Sequence, residues 1–348
     1  MVIPSTGALG RFAEAEVQEF VERSLASRFG PSIRIERQRQ RPSAYGSSFP
    51  LEEVDVLLEN GDHLPMLLKD VAPEALLESA RRIKPAFLLE PLREIEVYLH
   101  LLAPRPHLGT ARFYGAAVDP SRDRYWLLLE RVNGIELYQV GELDVWRSVA
   151  RWLAELHVEL ASDATSTATK APDLVRYDRE FFRQWMERAR VFLRSRRPPL
   201  TADQWLRLDR LASRYDRVAD RLLALPQTVI HGEFYASNIL ITDLDGRIRI
   251  CPVDWEGAAI GPGLIDLAAL SAGDWTEAQR LDLALAYRSA LAPGSSRESI
   301  NHFLEDLEYC RLHLAVQWLG WSPLWSPPAA HAYDWLGEAF RLADRIDI

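Results

Sequence analysis

The chain has 348 residues, a formal net charge of −9 at pH 7, and a composition that is 48% hydrophobic and 26% charged. These values exclude a largely disordered chain, and the length suffices for two lobes with a substantial core. The negative charge argues against a nucleic-acid-binding surface, and it is compatible with a cationic small substrate.

The N-terminal segment and the cysteines indicate a cytoplasmic protein. The first residues carry no basic segment followed by an apolar core, and the longest apolar runs, such as residues 125–129, are too short to span a bilayer. Cys251 and Cys310 make no disulfide framework, and we expect both to be small buried hydrophobic side chains. A reducing compartment and no membrane partner are therefore expected.

The first third of the chain predicts an antiparallel sheet. Apolar spacing indicates, in chain order, a helix, three strands, a helix and two strands, over residues 11–29, 33–35, 51–58, 64–69, 87–103, 111–118 and 125–132. Asn60-Gly61 separates the second and third strands and can form a tight hairpin turn. About five strands are therefore expected in this sheet.

The rest of the chain is mostly helical in pattern. Amphipathic segments recur at residues 146–160, 178–195, 203–225, 276–291, 299–320 and 330–345. Only residues 229–253 indicate strands, with Asp245-Gly246 as their turn. We therefore predict an α+β fold of two lobes, with an N-terminal antiparallel β-sheet lobe over 1–132 and a mainly helical C-terminal lobe over 133–348.

A polar cluster accompanies the strands of the second lobe. His231-Gly232-Glu233 is followed by Asn238, and Asp254 comes sixteen residues after Asn238. This spacing resembles the catalytic loop of protein kinases, H-R-D-x-x-x-x-N, and the metal-binding Asp that follows it across a hairpin. Asn238 alone would be expected to cap a turn, and Asp254 alone to pair with an arginine. Their joint occurrence with His231 favours Mg²⁺ ligands, because Mg²⁺ prefers hard oxygen donors.

A lysine and a glutamate of the first lobe are candidates for the nucleotide side of this site. Lys69 ends an apolar strand, where the lysine of a kinase contacts the α- and β-phosphates. Glu94 on the following helix is the preferred ion-pair partner of Lys69, and Glu90, one helical turn earlier, is the alternative.

Three further residues are assigned to the nucleotide by position. Ser47 lies in a loop, residues 43–49, where a kinase fold has its phosphate-covering loop. That loop has a single glycine, and an ordinary solvent loop fits it equally well. Glu130 and Val132 close the last predicted strand of the first lobe, where their backbone groups would form a hinge that pairs with adenine.

Three blocks of sequence carry a family resemblance, namely residues 229–241, 252–256 and 261–268. Together they resemble the aminoglycoside phosphotransferase / choline kinase-like family, over a region from about Gln38 to the C-terminal helices. The resemblance implies a two-lobed protein-kinase-like fold, ATP or GTP as donor, Mg²⁺, and a small-molecule hydroxyl as acceptor. It also implies that Asp266 is a buried carboxylate that braces the catalytic loop. His157 resembles part of a family Leu-His pair, although alone it would be a packed core histidine.

Two departures from the family pattern bear on activity. Position 233 usually holds Asp, and the usual Gly-Asp-Pro block reads Gly261-Pro262-Gly263. An extra methylene moves a carboxylate by roughly 1 Å, and such a misplacement can cost on the order of 100-fold in rate. Glu233 remains an oxygen acceptor with a similar reference pKa, so it could still orient a hydroxyl.

The leading hypothesis is an ATP-dependent phosphotransferase in which Glu233 and His231 are catalytic. It would move the γ-phosphoryl group to a hydroxyl of an aminoglycoside, amino sugar or amino alcohol. The alternatives are a nucleotide-binding pseudokinase or regulatory module, and an enzyme that uses ATP for another transfer. The expected partners are a nucleotide and a small-molecule acceptor, without nucleic acid or membrane, in a monomer or weak homodimer.

The acceptor is expected between the catalytic loop and the C-terminal helices. Tryptophans near prolines in this region could stack on a ligand or could anchor helix packing; they are Trp318, Trp321, Trp325 and Trp335. An acidic group could attract an amine or could be a solvated helix face; its members are Glu305, Asp306 and Glu308.

Overall fold

The computed structural model describes residues 12–45, 48–161, 171–196, 198–244, 246–291, 299–321 and 332–348. Within these ranges, no helix combines the length and the apolar character needed to cross a membrane. Cys251 and Cys310 are both buried and free, as expected from the sequence.

A five-stranded antiparallel sheet forms the N-terminal region, as predicted. Its strands are β1 (Ile35–Pro42), β2 (Leu51–Leu58), β3 (His63–Asp70), β4 (Phe113–Asp119) and β5 (Arg124–Glu130). They lie in the order β1-β2-β3-β5-β4, and Leu51 pairs with Lys69 across β2 and β3. Gly61 in the β2–β3 turn has φ 88°, which glycine adopts without steric cost.

Different parts of the protein lie against the two faces of the sheet. Helix α1 (Glu14–Phe29) covers one face, where Val17 and Phe20 share a buried hydrophobic cluster with Met66 and Leu68 of β3. Because successive side chains of a strand point to opposite faces, Lys69 lies on the other face, which is turned toward the rest of the molecule. The alternation of side chains along β3 therefore places Lys69 in the protein interior, where it is 5% exposed.

The helix predicted over 87–103 is irregular, and part of its predicted apolar face is wrong. After the short helix α2 (Glu78–Arg81), helix α3 (Pro91–Glu96) continues into a π-helical segment, Val97–Leu102. The wider turn shifts the spacing of the side chains that follow. A regular helix over 87–103 would put Leu99 on one apolar face with Ile95 and Leu102, but Leu99 is 41% exposed, whereas Glu94 is buried.

The C-terminal region is mainly helical, as predicted. Its helices are α4 (Leu143–Ala161), α5 (Arg179–Ser195), α6 (Ala202–Ala224), α7 (Leu264–Leu270), α8 (Glu277–Ala290), α9 (Ile300–Leu319) and α10 (Trp335–Arg345). Capping boxes begin α6 at Thr201 and α8 at Thr276, which satisfies backbone donors at both helix starts.

Two small sheets position the polar cluster within this helical region. Their strands are β6 (Ile135–Glu136), β7 (Val175–Arg176), β8 (Gln227–Ile230), β9 (Ile239–Leu244), β10 (Arg247–Pro252) and β11 (Ala259–Pro262). The sheets have the orders β10-β9-β6 and β7-β11-β8. Asp245 of the predicted turn between β9 and β10 lies outside the described residues, and Gly246 beside it has φ 76°.

Candidate active site

The loop between β8 and β9, residues 231–238, is held by a buried carboxylate. Asp266, in the first turn of α7, accepts the backbone N–H of His231 at 2.7 Å and that of Gly232 at 2.9 Å. Gly232 has φ +80°, and a Cβ there would collide with the carbonyl oxygen of Gly257. The loop therefore packs backbone against backbone on the turn that follows Asp254.

A second layer holds Asp266 itself. His157 of α4 lies with Nε2 3.2 Å from Asp266 Oδ2 and with Nδ1 2.9 Å from the Tyr287 hydroxyl. A Cβ on Gly263 would lie 2.7 Å from His157 Nδ1, so the glycine of the atypical Gly261-Pro262-Gly263 block leaves room for this ring. His157 is thus both a packed core histidine and a support for the loop carboxylate.

Replacing Asp266 with alanine is expected to lower the free energy of unfolding by about 2–4 kcal/mol, because two buried N–H groups lose their acceptor. Urea denaturation measures this loss. Asp209→Ala is the matched control, since that carboxylate is 59% exposed on α6 and should change stability by less than about 0.5 kcal/mol. A loss below about 1 kcal/mol for Asp266→Ala would contradict its role as a brace.

The His231 ring is used inside the loop. Its Nε2–H donates to the carbonyl oxygen of Val253 at 3.0 Å, and its Nδ1 accepts the backbone N–H of Glu233 at 3.3 Å. Burial lowers the pKa of His231 below its ordinary value, which favours this neutral form. Nε2 therefore links the 231–238 loop to the strand end at Val253, and Nδ1 stabilises the backbone within the loop.

Lys69, Glu94 and Asp254 meet at one point between the sheet and the helical region. Lys69 Nζ lies 2.5 Å from Asp254 Oδ1 and 2.7 Å from Glu94 Oε2. Burial alone would lower the pKa of Lys69, but Asp254, Glu94 and Glu256 raise it well above its ordinary value. The sequence preference for Glu94 over Glu90 agrees with this geometry, because Glu90 instead caps α3 by accepting from Leu92 N–H.

Asn238 and Asp254 flank the β9–β10 hairpin, whose two ends are joined by a backbone hydrogen bond. Val253 N–H donates to the Asn238 carbonyl at 2.9 Å, and Asn238 Nδ2 donates to the Glu233 carbonyl at 3.0 Å. Burial favours neutral Asp254, but the charge and hydrogen bond of Lys69 hold the Asp254 pKa below its ordinary value. Asp254 has φ 65°, an uncommon left-handed conformation of the kind that clusters at functional sites.

This donor set fits one phosphate-bound Mg²⁺. Among the described residues, no group of three or more His, Cys, Asp or Glu side chains could hold a metal ion by itself. One carboxylate and one amide oxygen suffice where nucleotide phosphates and waters complete the octahedron. Asp254 and Asn238 Oδ1 would supply those two protein ligands.

Glu233 is partly buried at the start of the same loop. Burial and the nearby charge of Glu256 raise the pKa of its carboxyl to about 7, against the opposing charge of Lys84. Its extra methylene rests on Gly257, where a Cβ would lie 3.0 Å from Glu233 Cγ and 3.3 Å from Oε2. A longer carboxylate than the family's usual Asp therefore has matching space in this chain.

Two charged residues near the site, Lys84 and Glu256, were missed in the sequence analysis. Lys84 Nζ lies 2.6 Å from Glu256 Oε2, and Ser48 Oγ donates to Glu256 Oε1 at 3.2 Å. Lys84 and Lys69 place their ammonium groups 5.6 and 5.7 Å from the centre of the Phe49 ring. Only three of the 41 Lys and Arg residues are lysines, and two of them lie here, which is the signal that could have revealed Lys84.

The other residues predicted to contact the nucleotide lie in different surroundings. The Glu130 side chain is turned into an ion pair with Arg249, at 2.7 and 2.8 Å. Its N–H donates to the Arg112 carbonyl at 2.8 Å, so a contact with adenine at this residue would have to use the Glu130 carbonyl. Val132 is buried beside it. Ser47 lies outside the described residues.

The aromatic and acidic groups of the C-terminal region separate into different roles. Trp318 and Trp335 stack at 5.3 Å and line a cleft beside the 231–238 loop. Trp321 instead stacks on buried Trp185 at 5.6 Å, and Trp325 lies outside the described residues.

The acidic group of the C-terminal region is not part of this cleft. Asp306 pairs with Arg221, Glu308 pairs with Arg311, and Glu305 is exposed. For Asp306 and Glu308, the solvated-face interpretation is wrong, because both residues are buried.

Comparisons with known proteins give the same fold. Residues 52–300 match the model of the APH phosphotransferase enzyme family. No curated protein sequence matches the chain.

Solved structures of low sequence identity share the architecture. A GDP and kanamycin complex of APH(2")-IIIa has 14% identity and a TM-score of 0.53, covering 93% of this chain and 97% of that one. Choline kinase LicA from Streptococcus pneumoniae has 12% identity and a TM-score of 0.55, covering 95% and 99%, and LicA is also known with AMP. Plasmodium vivax ethanolamine kinase has 13% identity and a TM-score of 0.53, covering 89% and 82%.

Proposed function

The chain belongs to the APH phosphotransferase enzyme family, and we propose that it transfers the γ-phosphoryl group of ATP or GTP to a hydroxyl group of a small molecule. The observation that carries this proposal is that Glu94 and Asp254 each place a carboxylate oxygen within 2.7 Å of Lys69 Nζ. Because removing one partner would leave an uncompensated buried charge, Glu94 and Asp254 together hold the Lys69 ammonium group in this position.

In the proposed reaction, the acceptor oxygen attacks the γ-phosphorus while the bond to the bridging oxygen breaks and the nucleoside diphosphate leaves. The Glu233 carboxylate orients the acceptor hydroxyl and takes its proton. Lys69, held by Glu94, meets the α- and β-phosphates. Asp254 and Asn238 would hold Mg²⁺, which would supply positive charge to neutralise the phosphates. His231 and Asp266 act through the loop backbone, so their proposed role is positioning.

We propose that the two lobes bind different substrates. Residues 1–132 would hold the nucleotide, with the backbone of Glu130 and Val132 at the adenine edge and Ser47 near the phosphates. Residues 133–348 would carry the catalytic loop and the acceptor site. The acceptor class from the sequence, an aminoglycoside, amino sugar or amino alcohol, is the starting panel for the experiment.

Acceptor-stimulated release of ADP or GDP tests the proposal. A panel of amino sugars, amino alcohols and hydroxylated ring compounds is offered with each nucleotide and Mg²⁺. We expect at least one acceptor to raise diphosphate release above the acceptor-free rate. Mg²⁺-dependent nucleotide binding without stimulation by any acceptor would favour the pseudokinase alternative instead.

The pH dependence of the reaction should report Glu233. With a pKa near 7, its carboxyl is protonated below neutrality and cannot accept the hydroxyl proton. We expect kcat/KM for the nucleotide to rise with pH through an inflection near 7. Because Lys84 lowers the Glu233 pKa and Glu256 raises it, Lys84→Met should move the inflection to higher pH and Glu256→Gln to lower pH. Shifts in the same direction for both variants would refute this assignment.

A further inference from the structure

A cleft of about 670 Å³ opens beside the catalytic loop, on the side of the helical region. Its floor is formed by Tyr235, Ala236 and Ser237, which lie between Glu233 and Asn238 in the sequence. The volume is in the range of sites that hold drug-sized ligands. We call it the aromatic cleft, and its further lining residues include Trp146, Ala272, Asp274, Trp275, Trp318 and Trp335.

The aromatic rings that line the aromatic cleft include two contacting groups. Trp318 lies 5.2 Å from Tyr235 and stacks on Trp335 at 5.3 Å with an interplanar angle of 9°. Trp146 and Trp275 form an edge-to-face pair at 4.6 Å. Trp146 Nε1–H already donates to the Val140 carbonyl at 2.8 Å, so this ring offers mainly apolar surface to a ligand.

The charge of the aromatic cleft is low. Asp274 is the only charged residue among the described residues that line the cleft, and it is exposed to solvent. An acceptor with several ammonium groups would bring several cations against one carboxylate and would lose hydration at the aromatic walls. A single ammonium group could be matched by Asp274 or by the face of a tryptophan.

We propose that the aromatic cleft is the acceptor site and that it takes a hydroxylated ring compound of low charge, with at most one ammonium group, rather than a polycation. This inference rests on the proposed phosphotransferase function, because that function gives the neighbouring catalytic loop its role. It narrows the acceptor class inferred from the sequence, since amino alcohols with apolar ring systems fit and polycationic aminoglycosides do not.

Titration calorimetry with the MgADP-loaded full chain tests this choice without turnover. The probes are a naphthyloxy amino alcohol with one amine (propranolol), its neutral diol analogue, choline, and kanamycin as the polycation. We expect the two naphthyl probes to bind at least about tenfold more tightly than kanamycin, since aromatic contacts dominate binding energies in desolvated sites. Tighter binding of kanamycin or choline than of both naphthyl probes would overturn the inference.

Three variants locate the bound probe. Ala272→Trp fills the cleft and should abolish naphthyl binding while MgADP binding shows that the protein is folded. Trp318→Ala should weaken both naphthyl probes by at least about tenfold. Asp274→Asn should weaken only the amine probe, by about two- to fivefold, as expected for an exposed ion pair. Naphthyl binding that survives Ala272→Trp unchanged would overturn the assignment of the cleft.

The two proposals fail in different ways. Transfer of label from γ-labelled ATP is measured in parallel with the same probes. Naphthyl binding that is sensitive to Ala272→Trp, but without phosphorylation of any probe or of any member of the acceptor panel, supports ligand binding in the cleft and counts against the phosphotransferase function. Phosphorylation of kanamycin with no naphthyl binding overturns the cleft inference and leaves the proposed function intact.

Discussion

Replacing Glu233 with glutamine is expected to lower the turnover number by about 10²–10⁴-fold, the usual contribution of a general base. Nucleotide affinity should change little, because Lys69, Asp254 and Asn238 remain. Steady-state turnover with the best acceptor, together with nucleotide titration, measures both quantities. The variant should also be no less stable than the wild type at pH 8, because burial and Glu256 already disfavour the ionised Glu233 carboxylate.

The Glu233→Asp variant distinguishes a site that is catalytically active with glutamate from a site that has lost its activity. In the adapted site, Glu233 is matched to the space over Gly257, so Glu233→Asp withdraws the carboxylate by roughly 1 Å and should lower turnover, by as much as about 100-fold. If glutamate at position 233 impaired catalysis, Glu233→Asp would raise turnover instead. Glu305→Gln is the control, because this exposed glutamate lies on α9 and should leave turnover unchanged.

Replacing Asp254 with asparagine is expected to lower turnover by about 10²–10³-fold, as when one electrostatic contact to a transition state is removed. It should also weaken MgADP binding. The fold should survive, because Glu94 still neutralises Lys69 from 2.7 Å. Calorimetric titration of ADP with Mg²⁺ and with EDTA tests the metal role directly.

The EDTA titration is the internal control for Asp254. Without metal, Asp254→Asn should bind ADP as well as the wild type or better, since a negative charge near the phosphates has been removed. An equal loss of affinity with and without Mg²⁺ would show that Asp254 acts through the shape of the site rather than as a metal ligand.

Periodicity and spacing were sufficient for the regular parts of the fold. The alternation of β3 put Lys69 opposite the core residues Met66 and Leu68, and the Asn238 to Asp254 spacing matched a hairpin whose ends meet at Val253. The five-stranded sheet and the C-terminal helices follow from the same patterns. These features are local, so a single sequence contains the information that defines them.

Features that depend on tertiary contacts were not predictable in this way. Leu99 is exposed because a π-helical segment changes the spacing that the periodicity assumed. Lys84 lies in an irregular segment after α2, where no pattern indicates which way a side chain points. The space over Gly257 arises between two segments 24 residues apart, and only their packing shows that Glu233 has room.

Transfer of labelled phosphate from γ-labelled ATP to an acceptor, compared between wild type, Glu233→Gln and Glu233→Asp, tests the proposed catalytic role of Glu233. If Glu233 has this role, we expect the wild type to form one labelled acceptor for each ADP released and both variants to be slower. Mg²⁺-dependent nucleotide binding without labelled product in the wild type, combined with transfer by Glu233→Asp, would contradict it and identify a retired kinase.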